Sequence, residues 1–274
     1  MKISLIATDL DGTFLAKNSV VTDENLNAVE KFKTKNVATI PITGRTLFEI
    51  PEKIRNNNNF RYFVFSNGAG IYDKEKGTIF YAPIENKTAK SIFNILNSYD
   101  TLIEIYSFGN PLIDKNKFNK KTFDYYSVDK NYISCMIETR VPVNDFYNII
   151  NKDNIKIEMF NVFFKNKEDR QECLDKISCY EGVEVTTSMD NNLEIIKKGV
   201  NKGASLENLC NILNIDTNFV IALGDSKNDI SMFKKAGTKL AVRNACNELK
   251  SIADTVICNN NENIIDYLQK HLGA

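Results

Sequence analysis

Short, mostly apolar runs alternate with stretches whose apolar residues recur at helical spacing over the first third of the chain. Residues 3–9 form the first apolar run, and residues 37–43 and 62–66 repeat the pattern. Between the first two runs, Thr22 is placed to cap a helix. Between the second and third runs, the pattern predicts another helix over residues 46–54. Strand, helix and strand joined by short loops predict a parallel α/β sheet.

The last third of the chain repeats this alternation. Apolar runs at 219–223, 239–242 and 254–258 predict strands, while amphipathic stretches at 204–213 and 263–272 predict helices. The two ends of the chain are therefore expected to build one sheet together.

The middle of the chain, residues 83–196, has a different composition and pattern. It is richer in aromatic residues and in alternating apolar and polar positions than the two ends. We therefore predict an α/β fold with a doubly wound, mostly parallel core sheet formed by residues 1–82 and 197–274. Residues 83–196 are expected to form an inserted α+β domain.

Composition narrows the possible functions. The 274 residues carry 35 basic and 35 acidic side chains, so a broad electrostatic grip on nucleic acid or on an anionic membrane is not expected. No apolar run reaches the roughly 18 residues of a membrane helix, and the first run stops at Asp9, too soon for a signal peptide. A cytoplasmic protein is the resulting expectation.

The six cysteines form no CxxC pair, and His271 is the only histidine. This argues against a structural zinc site and against a catalytic Cys–His or Ser–His pair. Cys210 lies in an amphipathic stretch and Cys258 ends an apolar run, so both are expected to be small buried hydrophobic residues with reduced thiols.

The strongest chemical signal is Asp9-Leu10-Asp11-Gly12-Thr13, at the end of the first strand. Residues two apart in an extended segment point the same way, so Asp9 and Asp11 can enter one site. Two carboxylates so close repel each other unless a cation or a shared proton separates them. Mg²⁺ is the expected partner, because it is a hard ion that prefers oxygen ligands. Gly12 permits a sharp turn, and Thr13 can hold a carboxylate by a hydrogen bond.

A second acidic cluster, Gly224-Asp225-Ser226-Lys227-Asn228-Asp229, follows the strand at 219–223. Because ligands bind at the carboxyl ends of parallel strands, Asp225 is expected to complete the metal site. Asn228 could hydrogen-bond a phosphate oxygen, and Asp229 could support the metal ligands from behind.

Two more features suit a phosphate. Thr43-Gly44 ends the second strand just before a predicted helix, where a hydroxyl and backbone N–H groups can bind an anion. Lys202 precedes the amphipathic stretch at 204–213 and could neutralise a phosphate.

Taken together, these motifs resemble the haloacid dehalogenase superfamily, whose signatures are DxDGT, [ST]G, a lysine and GDxxND. The segments 42–45, 66–69, 199–203 and 241–245 are similar to the Cof-type sugar-phosphatase branch. The resemblance covers 1–82 and 197–274, and the middle matches the branch's large cap domain in position and length. Pro41 and the asparagine-rich segment 259–263 depart from the family pattern.

The resemblance implies a Mg²⁺-dependent phosphatase that acts on small phosphorylated metabolites, with sugar phosphates as the expected class. Asp9 would be the nucleophile that forms an aspartyl-phosphate, and Asp11 the general acid and base. Asp9, the Asp11 backbone carbonyl and Asp225 would bind Mg²⁺, supported by Thr13 and Asp229. The implied phosphate-binding residues are Leu10, Thr43, Gly44, Lys202 and Asn228.

Alternatives remain open from the sequence. A phosphomutase or other phosphotransferase would use the same motifs, and a non-catalytic regulator would bind sugar phosphates without turnover. A dehalogenase is disfavoured, because that chemistry needs neither Asp11 nor a metal. The suggested substrate contacts are Tyr106, Ser188, Asn191 and Asn192. The sequence predicts neither the substrate itself nor the oligomeric state.

Overall fold

The computed structural model describes residues 3–152 and 154–271, and its contacts divide the chain into two compact units. The first unit comprises residues 1–45, 50–80 and 201–274. The second unit comprises residues 46–49 and 81–200.

The strands are numbered in chain order. They are β1 (Leu5–Thr8), β2 (Ala38–Pro41), β3 (Tyr62–Phe65), β4 (Gly70–Asp73), β5 (Gly77–Tyr81), β6 (Thr101–Ser107), β7 (Asn110–Asp114), β8 (Val141–Val143), β9 (Ile157–Phe164), β10 (Val183–Thr186), β11 (Asn192–Lys197), β12 (Val220–Gly224), β13 (Thr238–Ala241) and β14 (Thr255–Val256).

The helices are numbered in the same way. They are α1 (Asp23–Thr34), α2 (Glu52–Arg55), α3 (Asn86–Asn97), α4 (Lys120–Tyr125), α5 (Lys130–Thr139), α6 (Phe146–Ile149), α7 (Lys167–Ser178), α8 (Lys202–Leu213), α9 (Ile230–Phe233), α10 (Asn247–Lys250) and α11 (Ile264–His271). Residue 272, the last of the predicted C-terminal helix, lies outside the described residues.

A five-stranded parallel sheet in the order β14-β13-β12-β1-β2 forms the centre of the first unit. All four residues of β1 are buried, as expected for a central strand with neighbours on both sides. Strands from the two ends of the chain, β1 and β12, are direct neighbours. The carboxyl end of the Asp9 strand therefore lies beside that of the Asp225 strand.

Pro41 ends the regular pairing of β2. It lies in register with Thr8 of β1, and the next amide, that of Ile42, still donates to the Thr8 carbonyl at 2.8 Å. Because successive amides point to opposite sides, the missing Pro41 donor faces away from β1. On that side, Ile42 and Val64 form only an isolated bridge, since a proline offers no donor to a neighbouring strand.

The second unit is built on a six-stranded sheet in the order β10-β11-β9-β6-β7-β8, antiparallel except for the β7–β8 pair. Residues of α3 and α7 join Ile103 and Ile105 in the main hydrophobic cluster of this unit. Leu102 points to the opposite face, where it packs with Phe123 of α4 and Met136 of α5. The predicted fold class, a mostly parallel α/β sheet with an inserted α+β part, is confirmed.

The prediction of one helix over residues 46–54 is wrong. A short 3₁₀ turn covers Leu47–Glu49, and α2 begins only at Glu52. Pro51, with φ −52° and ψ 136°, is extended and separates the two, because its ring cannot continue a helix and lacks an N–H donor. Among the described residues, no helix has both the length and the apolar character needed to cross a membrane.

Candidate active site

The candidate site of the first unit is organised around a buried lysine. Lys202 is the first residue of α8, and its ammonium nitrogen lies 2.6 Å from Asp9 Oδ1 and 2.6 Å from Asp229 Oδ1. The side chains of Lys202, Asp9 and Asp229 are 1%, 6% and 0% exposed. A charge this well buried needs such partners, so the lysine fixes the positions of both carboxylates.

Asp229 also shapes the loop that carries Asp225. Its Oδ2 accepts the backbone N–H of Asp225 at 2.9 Å and that of Ser226 at 3.0 Å. Ser226 and Asp229 form a capping box at the start of the turn that leads into α9. Asp229 therefore supports both the lysine and the Asp225 loop.

Gly12 allows the Asp9 loop to approach Asp225. Its φ of +76° is in the region that favours glycine, and a Cβ on this residue would overlap Oδ2 of Asp225. The next residue, Thr13, is fully buried, and its hydroxyl donates to Asp225 Oδ1 at 3.4 Å. The hydrogen bond predicted from Thr13 to a carboxylate is therefore present.

The carboxylates of Asp9, Asp225 and Asp229 offer oxygens within 4.8 Å of one another. Both Asp229 oxygens already accept hydrogen bonds. Within the described part of the chain, Oδ2 of Asp9 and Oδ2 of Asp225 accept none, so each leaves an oxygen for a cation. This donor set fits a small, hard divalent ion such as Mg²⁺.

The electrostatics of the site also fit a cation. Burial raises the pKa of Asp9 well above its usual value, and Lys202 opposes this shift while Asp229 and Asp225 add to it. Burial and then Asp229 raise the pKa of Asp225 to about 7. Burial lowers the pKa of Lys202, but Asp229 and Asp9 raise it by more. Negative charge thus exceeds positive charge here, and a bound divalent cation would lower the pKa values of its carboxylate ligands.

Asp11 has a different partner, Arg45. The arginine donates through Nε to Asp11 Oδ2 at 2.7 Å and through Nη2 to Asp11 Oδ1 at 2.6 Å. Its Nη2 also donates to the Ser19 hydroxyl at 2.9 Å. Burial raises the pKa of Asp11, but the Arg45 charge and hydrogen bonds outweigh this, so the pKa lies below its usual value. Arg45 lies in the segment 42–45 that is similar to the Cof-type branch, but its sequence position alone does not indicate this role.

The predicted phosphate-binding residues lie around Asn67. The Oδ1 atom of Asn67 accepts Asn228 Nδ2 at 3.1 Å, and a Cβ on Gly44 would lie 3.2 Å from it. Thr43 is buried, with its hydroxyl accepting the Arg45 N–H at 3.1 Å and its own N–H donating to Val64 at 3.0 Å. The Thr43 N–H is therefore already used, and the helix expected to follow this loop is absent.

Leu10 is fully buried, so only its backbone could reach a phosphate.

The loop of Asn67 has a strained backbone. Ser66 and Asn67 have φ values of +49° and +52°, although neither is glycine, and both are buried. Gly68, with φ +103°, is held by the Ser205 hydroxyl, which donates to its carbonyl at 2.6 Å. Strained residues of this kind concentrate at functional sites. Two consecutive left-handed residues depend on tertiary contacts, so the local sequence does not by itself require this conformation.

Asparagines near the C-terminus hold the loop that follows Asp11. Asn244 Nδ2 donates to the Gly12 carbonyl at 2.7 Å, and Asn260 Nδ2 donates to the Leu15 carbonyl at 2.9 Å. Asn261 Oδ1 accepts the Lys17 N–H at 2.8 Å. The asparagine-rich segment that departs from the family pattern is therefore connected to the loop of the site.

The residues suggested as substrate contacts all belong to the second unit, and all four side chains make hydrogen bonds within it. The partners are Tyr132 for Tyr106, Glu194 for Ser188, the Tyr126 carbonyl for Asn191 and Asn161 for Asn192. These bonds give the four residues a structural role within the unit.

Comparison with known proteins identifies the family. A family model described as haloacid dehalogenase-like hydrolase matches residues 6–268. The phosphatase YwpJ of Bacillus subtilis is 28% identical over 98% of this chain and 100% of its own length. A second protein of this bacterium, the 5-amino-6-(5-phospho-D-ribitylamino)uracil phosphatase YcsE, is 27% identical over 98% of this chain and 95% of its own.

A solved structure of a haloacid dehalogenase-like hydrolase from B. subtilis is 26% identical, with a TM-score of 0.86, and covers 98% of this chain and 100% of its own. The chain belongs to the haloacid dehalogenase-like hydrolase family, which confirms the resemblance drawn from its motifs. It is an enzyme, a phosphatase that hydrolyses phosphoric monoesters.

Proposed function

We propose that this phosphatase acts on small phosphorylated metabolites, with sugar and sugar-alcohol phosphates as the class, and that it depends on Mg²⁺ and forms an aspartyl-phosphate. The observation that carries the proposal is the buried Lys202 bridge between Asp9 and Asp229, beside the carboxylate of Asp225. The substrate class is supported by YcsE, a relative whose own substrate carries a phosphorylated ribityl group. A cytoplasmic location belongs to the same proposal, since phosphorylated metabolites are made there.

Asp9 is proposed as the nucleophile. Lys202 fixes the Asp9 carboxylate through Oδ1. One carboxylate oxygen would attack the phosphorus as the bond to the leaving oxygen breaks, and the other would face the cation. The ammonium would also stabilise the negative charge on the phosphoryl oxygens. When bound by Asp9 and Asp225, Mg²⁺ would supply further positive charge at the phosphoryl group, and the Asp11 carbonyl remains a proposed third ligand.

Asp11 is proposed as the general acid and base, and Arg45 as the residue that positions it. The two-point ion pair favours the carboxylate form of Asp11, which suits the step in which it takes a proton from the attacking water. In the preceding step Asp11 would donate a proton to the leaving oxygen. Because the ion pair with Arg45 favours the carboxylate, Arg45 must release the carboxyl group for Asp11 to carry that proton.

Asn228, Thr43, Gly44 and the Leu10 backbone are proposed to bind phosphoryl oxygens, with Asn67 holding Asn228 in place. The second unit is proposed to serve as the cap domain that the sequence predicts.

The test is hydrolysis of p-nitrophenyl phosphate and of a panel of sugar phosphates with and without Mg²⁺, using the wild type and Asp9→Asn. We expect metal-dependent phosphate release that falls by about 10³-fold or more in the variant. Equal activity in Asp9→Asn would overturn the nucleophile assignment. Transfer of phosphate to a second sugar without release of inorganic phosphate would indicate a phosphomutase instead.

A further inference from the structure

Four residues next to the proposed phosphate loop pack into the other unit. Thr46–Glu49 directly follow Arg45, yet their contacts belong to the second unit, and the chain returns to the first unit at Ile50. The Phe48 N–H donates to the Gly109 carbonyl at 3.1 Å within this second unit. The segment therefore belongs to the second unit, although the residues before and after it in sequence belong to the first.

A buried arginine makes the main contact with this segment. Arg140, which directly follows α5, donates through Nη1 to Glu49 Oε1, and through Nε to Glu104 Oε1 at 2.5 Å. Its Nη2 donates to Glu104 Oε2 at 3.1 Å. The exposed fractions of the Arg140, Glu49 and Glu104 side chains are 0%, 1% and 0%. Away from water, both carboxylates are paired with the guanidinium. Glu104 Oε2 also accepts the Tyr132 hydroxyl at 3.1 Å and Asn161 Nδ2 at 2.8 Å.

The other oxygen of Glu49 reaches back along its own segment. Glu49 Oε2 accepts the Thr46 N–H at 2.8 Å. The Thr46 N–H and the Arg45 carbonyl belong to the same peptide group. That carbonyl accepts the Ser66 N–H at 2.8 Å. One peptide group is thus held on one side by Glu49 and on the other by the loop of Ser66.

We propose that Glu49 and Arg140 are positioning residues for phosphoryl transfer: together they fix the peptide after Arg45 and so keep Thr43–Arg45 in its working conformation. The inference rests on the proposed function for its chemical consequence, because Arg45 holds Asp11 and Thr43 lies among the phosphate-binding candidates. A displacement of about 1 Å in such a loop can reduce turnover about 100-fold.

Glu104 provides a matched control. It pairs with the same guanidinium, is equally buried and carries the same charge, but it lies on β6 rather than on the segment after Arg45. If the cluster only stabilises the second unit, Glu49→Gln and Glu104→Gln will affect kcat and the amides of the Ser66 loop alike. If Glu49 positions the loop, only Glu49→Gln will affect it.

The experiment combines kinetics with amide hydrogen exchange in the intact protein. For Glu49→Gln we expect kcat with p-nitrophenyl phosphate to fall about 10- to 100-fold, with KM changing less than about threefold. The amides of Ser66 and Asn67, which donate to the carbonyls of Arg45 and Thr43, should exchange at least about tenfold faster. For Glu104→Gln we expect a loss of Tm at least as large, because Glu104 accepts more hydrogen bonds, but kcat and both exchange rates close to those of the wild type.

Equal effects of the two variants on kcat and on these amides would overturn the proposal, as would unchanged exchange in Glu49→Gln. If Glu49→Gln does not fold, Arg140→Lys is the second variant, since it keeps the charge but loses the two-sided fork. Faster exchange of the Ser66 and Asn67 amides there supports the proposal, and unchanged exchange overturns it. The exchange measurement needs no substrate, so a wild type without phosphatase activity would refute the proposed function and still leave the positioning role decided.

Discussion

Replacing Lys202 with methionine removes the only cation that contacts both Asp9 and Asp229 within the described structure, and nearly keeps the volume of the side chain. Each N–O distance is 2.6 Å. At an effective dielectric constant of about 20, one such contact is worth about 6 kcal/mol before the cost of removing the charges from water. Because that cost cancels part of the attraction, removal of one partner from a buried pair destabilises proteins by about 3–5 kcal/mol. We expect Lys202→Met to lower the free energy of unfolding by this amount at pH 7.5 without Mg²⁺.

The loss of unfolding free energy in Lys202→Met should depend on pH, and the protonation of Asp9 determines whether it grows or shrinks as the pH rises. Burial already raises the pKa of Asp9, and removal of the ammonium raises it further. Above the unfolded pKa of about 4, the folded variant then keeps a proton on Asp9 that the unfolded chain releases, so its stability falls as the pH rises. The difference in unfolding free energy between Lys202→Met and the wild type should therefore be smallest near pH 4.

The assay is urea denaturation of both proteins at pH 4.5, 6 and 7.5, with and without Mg²⁺. The control is Lys235→Met, because Lys235 pairs with Glu207 at 2.8 Å on the surface, where both side chains are more than 40% exposed. That variant should lose less than about 1 kcal/mol. A Lys202→Met loss as small as the control's, or one that does not change with pH, would refute the reasoning about the buried bridge.

Three further results are expected. Gly12→Ala should lower stability by about 1–3 kcal/mol and weaken Mg²⁺-dependent activity, because its φ is positive and its Cβ would overlap Asp225; an unchanged Tm with normal Mg²⁺ titration would contradict this. Asp225→Ala should weaken Mg²⁺ dependence and activity together, and an unaltered titration would remove Asp225 from the metal site. Burial raises the thiol pKa to about 12 for Cys173 and about 11 for Cys210 and Cys258, so stability is retained below about pH 9, where the unfolded thiols also keep their protons. Above that pH the free energy of unfolding should fall by up to about 1.4 kcal/mol per pH unit for each thiol. Urea denaturation should show a smaller fall per pH unit in Cys173→Ala than in the wild type.

The parts of the site that the sequence predicted are those that follow from strand ends. Asp9 and Asp225 each come directly after a buried strand, and β1 and β12 are neighbours, so the rule for parallel sheets brings them together. Cys210 and Cys258 are buried, as their apolar surroundings predicted. Local pattern was enough in these cases, because each side chain is placed by its own strand or helix.

Residues whose placement depends on distant contacts could not be predicted in this way. Arg45 and Asp11 are 34 positions apart in the sequence, so no local pattern predicts their ion pair. The signal that the sequence offered was an arginine directly after Thr43-Gly44, together with an Asp11 carboxylate for which no cationic partner had been assigned. The helix predicted over 46–54 fails because Pro51 interrupts it and because Glu49 turns toward Arg140. Asn67 adopts a left-handed conformation that its local sequence does not require.

The pairing of β1 with β12 and the Asp9–Lys202 contact also bear on how the protein is made. The two residues of that contact are 193 positions apart. At about 5–20 residues per second, the ribosome needs about 10–40 seconds after completing Asp9 to add Lys202. During that interval β1 can pair with β2 but not with β12, so one edge of the future central strand is open in the nascent chain. A prematurely terminated chain that lacks the last third would therefore carry the nucleophile without its lysine and expose an apolar strand to other chains.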